Sequence, residues 1–142
     1  MDMQLEAIAF TGNALAPFFL EDPEKGSAGE SFAAFAALDA DAAASEWPFG
    51  ESAEVERGIR NMVSGLEAGI TDDLVWEFRR LFMGPGPKAA PPWGSVYTDH
   101  DKVMFGESAL ELGAWMREHG IERLSREGDP EDHLGLLLSM MA

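Results

Sequence analysis

Apolar residues recur every three or four positions through most of the chain, the spacing of amphipathic helices. The clearest stripe follows the predicted helix at residues 51–69 and consists of Val55, Ile59, Met62, Val63, Leu66 and, just beyond it, Ile70. Charged residues occupy the opposite face of that segment. Similar patterns run through residues 3–20, 31–44, 71–82 and 107–118. No stretch alternates apolar and polar residues long enough to require a sheet, so the pattern predicts an all-α fold.

Polar residues at the ends of these patterns predict where the helices begin and stop. Asp2 and Thr71 are suited to cap the helices that follow them. Pro17 is expected to kink or end the first helix. The alanine-rich segment 31–44 predicts one continuous helix, because alanine has the highest helix propensity.

The last predicted helix follows a mostly charged linker, residues 121–127. Asp129 is suited to the N-cap and Pro130 to the first helical position, with two further acids in the first turn. The pattern therefore predicts a helix from Pro130 onward. Its apolar residues fall on two sides, which predicts neighbours on both.

The segment 84–104 interrupts the helical pattern without becoming a polar loop. Prolines at 85, 87, 91 and 92 are incompatible with a helix or a central strand. The segment nevertheless carries large apolar residues: Trp93, Val96, Tyr97, Val103 and Met104. A rigid loop with aromatic side chains is typical of a binding feature, or of a plug that caps the core. Residue types alone leave both interpretations open.

Composition narrows the class of protein. A chain of 142 residues can bury one substantial core, and the absence of cysteine excludes disulfides, thiolate zinc sites and a cysteine nucleophile. No apolar run approaches the ~18 residues of a membrane span. The N-terminus lacks the basic start of a signal peptide, so we expect a cytoplasmic protein without membrane insertion.

Charge is the most unusual compositional feature. Twenty-six acidic against ten basic residues give a formal net charge of −16. Nucleic-acid binding requires a basic face, which this composition argues against. The same charge favours encounter with a cationic partner, such as a peptide with paired arginines, although it also serves solubility alone.

Candidate chemistry is sparse. No nucleophile-elbow or phosphate-binding glycine motif occurs. Asp99, His100 and Asp101 form a short cluster that could serve a metal-assisted hydrolase, but adjacent residues rarely converge on one ion. Asp132 and His133 are the most interesting polar pair. Their types alone favour helix capping, with the imidazole solvated or lining the core.

Three strings give the chain a family resemblance. PPWGSVYTD at 91–99, VMFGES at 103–108 and PEDHLG at 130–135 resemble the DmsD/TorD family of cytoplasmic chaperones, most closely its DmsD branch. The resemblance is clear from Phe78 to Ala142, whereas the first seventy-odd residues agree in length and helical character. It implies a helical bundle and a non-enzymatic chaperone, without a cofactor. Such a chaperone binds the twin-arginine leader of an exported molybdoenzyme, similar to dimethyl sulfoxide reductase, until that enzyme is mature.

The resemblance also implies which residues bind the leader: Phe78, Leu81, Phe82, Pro92, Trp93, Tyr97, His100, Gly106, Pro130, Asp132 and His133. Aromatic and aliphatic side chains would supply an apolar trough. The carboxylate and imidazole of the PEDH string would receive an arginine by charge-assisted hydrogen bonds.

Family members usually continue for several more helices. The resemblance thus divides the chain into a helical region at 1–128, with the binding loop 84–104, and the start of a C-terminal helical region at 129–142. The last helix, apolar on two sides, would favour a homodimer, which exchange of elements between two copies could form. A metal-assisted hydrolase, a self-associating scaffold and a nitrate-reductase-type assembly chaperone remain as alternatives.

Overall fold

The computed structural model describes residues 2–83, 86–124 and 128–142. Gly84 and Pro85, at the start of the predicted binding loop, and residues 125–127 of the predicted linker lie outside these ranges. The described residues form eight helices and no strand, which confirms the all-α prediction. The helices are α1 Met3–Leu20, α2 Ala28–Ala36, α3 Ala40–Glu46, α4 Ser52–Leu66, α5 Asp72–Phe82, α6 Ser95–Thr98, α7 Glu107–Glu118 and α8 Leu134–Met141. None of these helices is long and apolar enough to span a bilayer.

The predicted N-caps hold for α1 and α5. Asp2 accepts a hydrogen bond from the Gln4 N–H, and Thr71 accepts one from the Leu74 N–H. Pro17 does not end α1, which continues to Leu20. Pro17 lies in the last turn and lacks only its own N–H donor. Its carbonyl still accepts a hydrogen bond from the Glu21 N–H at 3.0 Å.

The single helix predicted over 31–44 is wrong. The structure has α2 and α3 instead, separated by a turn at residues 37–39. Asp39 has an extended backbone, and its carboxylate accepts hydrogen bonds from Asp41 N–H at 3.1 Å and Ala42 N–H at 2.9 Å. This local cap competes with helix continuation, and here it outweighs the high propensity of the alanines.

The N-terminal core lies where α2 meets α1 and α4. Ala28, Phe32, Phe35 and Leu66 are buried together. Phe18 of α1 packs edge-on against Phe32 and Phe35, with ring centroids 4.8 and 5.0 Å away. Such edge-to-face pairs stabilise a core beyond the area they bury.

Helix α8 packs closely on α1 because both helices carry a glycine at the contact. A Cβ atom added at Gly12 would overlap the Leu138 carbonyl oxygen. One added at Gly135 would lie 2.5 Å from Leu20 Cγ. The two glycines therefore join the last helix to the first, and they place the N-terminus of α8 beside the end of α1.

The predicted start of the last helix is also wrong, because α8 begins at Leu134 rather than Pro130. Residues 130–133 form a turn in which His133 N–H donates to the Pro130 carbonyl at 3.1 Å. Leu134 N–H donates to the Pro92 carbonyl at 2.7 Å. Hydrogen bonds to the distant segment 92–95 thus replace the helical turn that the Asp-Pro pair favours locally.

Candidate functional site

Asp132 connects two distant parts of the chain. Its Oδ2 accepts a hydrogen bond from the backbone N–H of Ser95 at 2.5 Å, across 37 positions. The N-cap of α6 is Gly94, which has no side chain for this purpose. Asp132 therefore caps α6 rather than its own helix, and a carboxylate at a helix N-terminus also interacts favourably with the helix dipole.

Backbone hydrogen bonds hold the same two segments together. Gly94 N–H donates to the Asp132 carbonyl at 3.1 Å, beside the bond from Leu134 to Pro92. Trp93 and His133 form an isolated antiparallel bridge between these two bonds. The loop 84–104 is consequently fixed near its middle, where Pro92 and Trp93 have defined positions beside the PEDH string.

His133 is buried, with 2% of its surface exposed. Burial lowers the pKa of its imidazole, which the carboxylates of Asp129 and Asp132 oppose and Arg123 reinforces. Its Nδ1 accepts a hydrogen bond from the Gly135 N–H at 3.1 Å and so caps α8. A neutral ring that accepts at Nδ1 carries its proton on Nε2. His133 is therefore a neutral cap at neutral pH.

Trp93 forms the wall beside this imidazole. The two rings lie edge to face with centroids 6.4 Å apart. The indole Nε1–H donates to Asp129 Oδ1 at 3.3 Å, which orients the ring. Asp129, expected to cap a helix, thus positions the tryptophan instead.

One atom of this cluster is left without a hydrogen bond. Asp132 is 5% exposed, and its Oδ1 is buried without any partner among the described residues. A buried carboxylate oxygen without a donor costs free energy, on the order of 1–3 kcal/mol or more. An unpaired buried atom of this kind calls for an explanation, and a donor from outside the described residues, such as a ligand or an ordered water, is one.

Gly106 packs against the side chain of Ser95. A Cβ atom at Gly106 would overlap Asp99 Oδ2 and would lie 2.9 Å from Ser95 Cβ. Asp99 accepts a hydrogen bond from the backbone N–H of Ser108 at 3.0 Å and caps α7, whose own N-cap is Gly106. Hydrogen bonds from Ser108 lower the pKa of Asp99. Gly106 is thus a close-packing position, because any side chain there would collide with Asp99 and Ser95.

Ser95 and Asp129 are two residues of this cluster that sequence reasoning missed. Ser95 is fully buried, and its hydroxyl donates to the Val103 carbonyl at 2.9 Å. A small polar residue between apolar ones was the available signal. Asp129 gave no signal of its own, because its sequence context indicated a helix cap.

Tyr97 and His100 point away from the cluster. Tyr97 is 61% exposed, and the His100 side chain is fully exposed, 3.3 Å from Asp101 Oδ1. Asp99 faces Ser108, so the three residues of the candidate metal cluster do not converge. Throughout residues 2–83, 86–124 and 128–142, no group of three or more metal-binding side chains converges.

The three predicted residues of α5 lie at a separate hollow of about 250 Å³ between α1, α4 and α5. Phe78 is buried and stacks edge-on against Phe82 at 5.2 Å, and Leu81 is half-buried. Phe19 connects this hollow with the Asp132 cluster: its ring lies 5.5 Å from that of Phe82, and its Cβ lies beside Gly135. The hollow is mostly apolar, with Glu77 among its lining residues.

The predicted binding residues therefore fall into three groups. Six lie where segment 92–95 meets segment 130–134 or directly against Ser95, namely Pro92, Trp93, Gly106, Pro130, Asp132 and His133. Three line the α5 hollow, and two face solvent.

Comparison with known proteins places the chain in a family. Residues 50–142 match the family model described as "Nitrate reductase delta subunit". A Salmonella typhi protein named Tat proofreading chaperone DmsD is 34% identical over 140 residues, which cover 99% of this chain and 65% of that protein. A Haemophilus influenzae protein named probable Tat proofreading chaperone DmsD is 34% identical over 97 residues, covering 68% of this chain and 46% of that protein.

A more distant relative, the chaperone protein TorD of Vibrio vulnificus, is 30% identical over 69 residues, covering 49% of this chain and 32% of that protein. The chain belongs to this TorD/DmsD family of redox-enzyme maturation chaperones. Similarity to DmsD extends through the N-terminal half, beyond the part that the three strings identify. The chain spans less than two thirds of the length of these DmsD relatives.

Proposed function

We propose that this chain binds the twin-arginine leader of a molybdoenzyme resembling dimethyl sulfoxide reductase. It acts in the cytoplasm, as a chaperone without catalytic activity, and holds the leader until the enzyme is mature and ready for Tat export. The names of its relatives, Tat proofreading chaperone, support the class of ligand.

The observation that carries the proposal is Asp132 Oδ1, a buried carboxylate oxygen without a donor in the described part of the chain. An arginine guanidinium is the side chain best suited to meet it, because its planar fork donates several hydrogen bonds to a carboxylate. The imidazole of His133 is neutral and therefore supplies no positive charge beside Asp132.

Apolar surface next to this carboxylate suits the remainder of a leader. Trp93 is held edge-on beside His133 and offers part of its ring. Phe19 leads from the Asp132 cluster to the hollow at Phe78 and Phe82. An apolar stretch following the two arginines would bury its side chains along this path.

The test is a calorimetric titration with a synthetic leader peptide that carries two consecutive arginines before an apolar stretch. Peptides with two lysines or two alanines at those positions serve as comparisons. The arginine peptide should bind, and lysine should bind at least about tenfold more weakly, because an ammonium group cannot make the bidentate contact. Equal binding of all three peptides would contradict arginine recognition.

Asp132→Asn is the matched variant of the protein. Asparagine keeps an oxygen for the Ser95 N–H and removes the charge, so the fold should persist while arginine binding weakens by about tenfold or more. Asp101→Asn, at an exposed carboxylate, is the control and should bind like the unmodified chain. Unchanged affinity in Asp132→Asn would remove this residue from the site.

A further inference from the structure

A second apolar surface lies on the N-terminal half of the molecule. It is a trough of about 500 Å³ between α1, α2 and α3, floored in part by Ile59 of α4. Phe10 and Trp47 meet at one end, with ring centroids 5.7 Å apart. Phe10 is 55% exposed and Leu38 41% exposed, so large apolar side chains reach solvent here.

The residues that line this trough recur with the same sequence spacing in all three parts of its wall. Each helix contributes a stripe at positions i, i+3, i+4 and i+7, the spacing of a single helical face. On α1 the stripe runs from Phe10 to Pro17, and on α3 it runs from the N-cap Asp39 to Glu46. The second stripe begins at Ser31 of α2 and ends at Leu38, in the turn that follows that helix. Seven residues of rise correspond to about 10 Å, or two turns.

Three stripes of equal sequence length around one trough give it a shape suited to one face of another helix. Alanine at several lining positions lets a partner backbone approach closely, while Phe10, Leu38 and Trp47 provide the buried area. A trough of this size accommodates the apolar side chains of one helix face rather than a whole helix.

The charged residues of the trough indicate the charge of a partner. The charged groups among the described lining residues are the carboxylates of Asp39 and Glu46. Glu46 is the last residue of α3, where the helix dipole also favours a cation. The chain carries a net charge of −16, so a second copy would be repelled whereas a basic segment would be attracted.

We propose that this trough is a docking site for an amphipathic helix of another protein, with apolar residues at helical spacing flanked by lysine or arginine. The site does not depend on the leader-binding proposal. It uses none of the residues around Asp132 or in the α5 hollow. The chain would accordingly engage a partner through α1–α3 while the leader site remains accessible.

The test is a titration, at 150 mM salt, with an 18-residue synthetic helix of leucine and lysine whose leucines form one face. A peptide of the same composition with scrambled order lacks that face, and a leucine–glutamate peptide keeps the face but reverses the charge. The ordered leucine–lysine peptide should bind at least about tenfold more tightly than either comparison peptide. Equal binding of the scrambled peptide would reduce the effect to general charge attraction and overturn the proposal.

Two adjacent exposed alanines of α2 give a matched pair of variants. Ala34 lines the trough, whereas Ala33 lines a different hollow between α2 and α4. Ala34→Lys places bulk and positive charge in the trough and should weaken binding by about tenfold or more, while Ala33→Lys should leave it within about twofold. Equal effects of the two substitutions would place the peptide elsewhere.

Glu46→Gln should weaken the leucine–lysine peptide by a few-fold, and Glu54→Gln, on the exposed first turn of α4, should not. The leader peptide and Asp132→Asn should leave this binding unchanged. Displacement by the leader peptide would mean that both ligands share one site and would contradict a separate trough. Self-association of the chain, measured by light scattering and abolished by Ala34→Lys, would assign the trough to a second copy instead.

Discussion

The guanidinium of Arg79 lies 2.8 Å from the carboxylate of Asp22, whose side chain is 6% exposed. Arg79 also reaches Glu24 at 2.7 Å, so it binds the loop after α1 to helix α5. The hydrogen bond from Arg79 lowers the pKa of Asp22 despite the burial of that carboxyl. This ion pair fixes the orientation of α5 and, with it, the aromatic residues of the α5 hollow.

We predict that Arg79→Gln destabilises the fold by about 1–3 kcal/mol, because it leaves the buried Asp22 carboxylate without its main donor. Arg80→Gln is the matched control: Arg80 pairs with Glu77 on the surface, so its loss should cost about 0.5 kcal/mol or less. Urea unfolding followed by circular dichroism measures both. Equal stability of the two variants would show that the Arg79 ion pair contributes little.

The lowered pKa of His133 predicts a decline in stability on the acid side of neutrality. An unfolded histidine takes up a proton below about pH 6.5, while the folded one stays neutral to lower pH. Because the unfolded state binds more protons there, stability falls as pH drops through that window. Thermal unfolding from pH 7.5 to pH 5 measures this slope.

His133→Asn should flatten that slope, since asparagine is a good N-cap that does not titrate. His100→Asn is the matched comparison, because it makes the same chemical change at an exposed histidine. A slope that persists in His133→Asn would assign the pH dependence to other groups.

Gly106 should not tolerate a methyl group. In Gly106→Ala the new Cβ overlaps Asp99 Oδ2 and crowds Ser95, so we expect a loss of about 1–3 kcal/mol and weaker capping of α7. Gly58→Ala makes the same chemical change on the open face of α4, where nothing lies within 4 Å. It should be neutral or stabilise by up to about 1 kcal/mol. Chemical denaturation distinguishes them, and equal effects would contradict the close packing under Ser95.

Lys102 has a left-handed backbone with φ of 50° in the loop between α6 and α7. A non-glycine residue is strained in this region, whereas glycine adopts it freely. Lys102→Gly should therefore stabilise the fold by about 0.5 kcal/mol, the relief of strain outweighing the added entropy of the unfolded chain. Lys25→Gly is the control, because Lys25 does not have a positive φ, and it should not raise the melting temperature. Loss of stability in Lys102→Gly would show that the conformation is not strained.

Local signals predicted much of the helical framework. Thr71 caps α5 as its type and position indicate, and the apolar stripe of residues 51–69 became α4. These features depend on interactions within a few residues. The same reasoning failed at Asp39 and at Pro130. At Asp39, a cap competed with alanine propensity inside one predicted helix. At Pro130, hydrogen bonds to residues 92–95 displaced a helix start.

The candidate site shows the same division. The resemblance in three strings indicated Trp93, Asp132 and His133 as site residues. The structure brings them together, through the Trp93–His133 bridge and the hydrogen bond from Ser95 to Asp132. The structure places Tyr97 and His100 on the surface. Their role in leader binding stays a prediction. No local pattern indicated that Asp132 caps a helix 37 positions away or that its second oxygen is left without a donor in the described residues.

The helical class, most helix positions, the strongly negative charge and the family were all readable from the amino-acid sequence, because they depend on short-range periodicity, composition and short strings of residues. The start of α8, the capping of α6 by Asp132 and the trough between α1, α2 and α3 became visible in the three-dimensional fold. Those features arise from contacts between residues far apart in the chain, and the free energy of such contacts exceeds the local preferences that a sequence pattern reports.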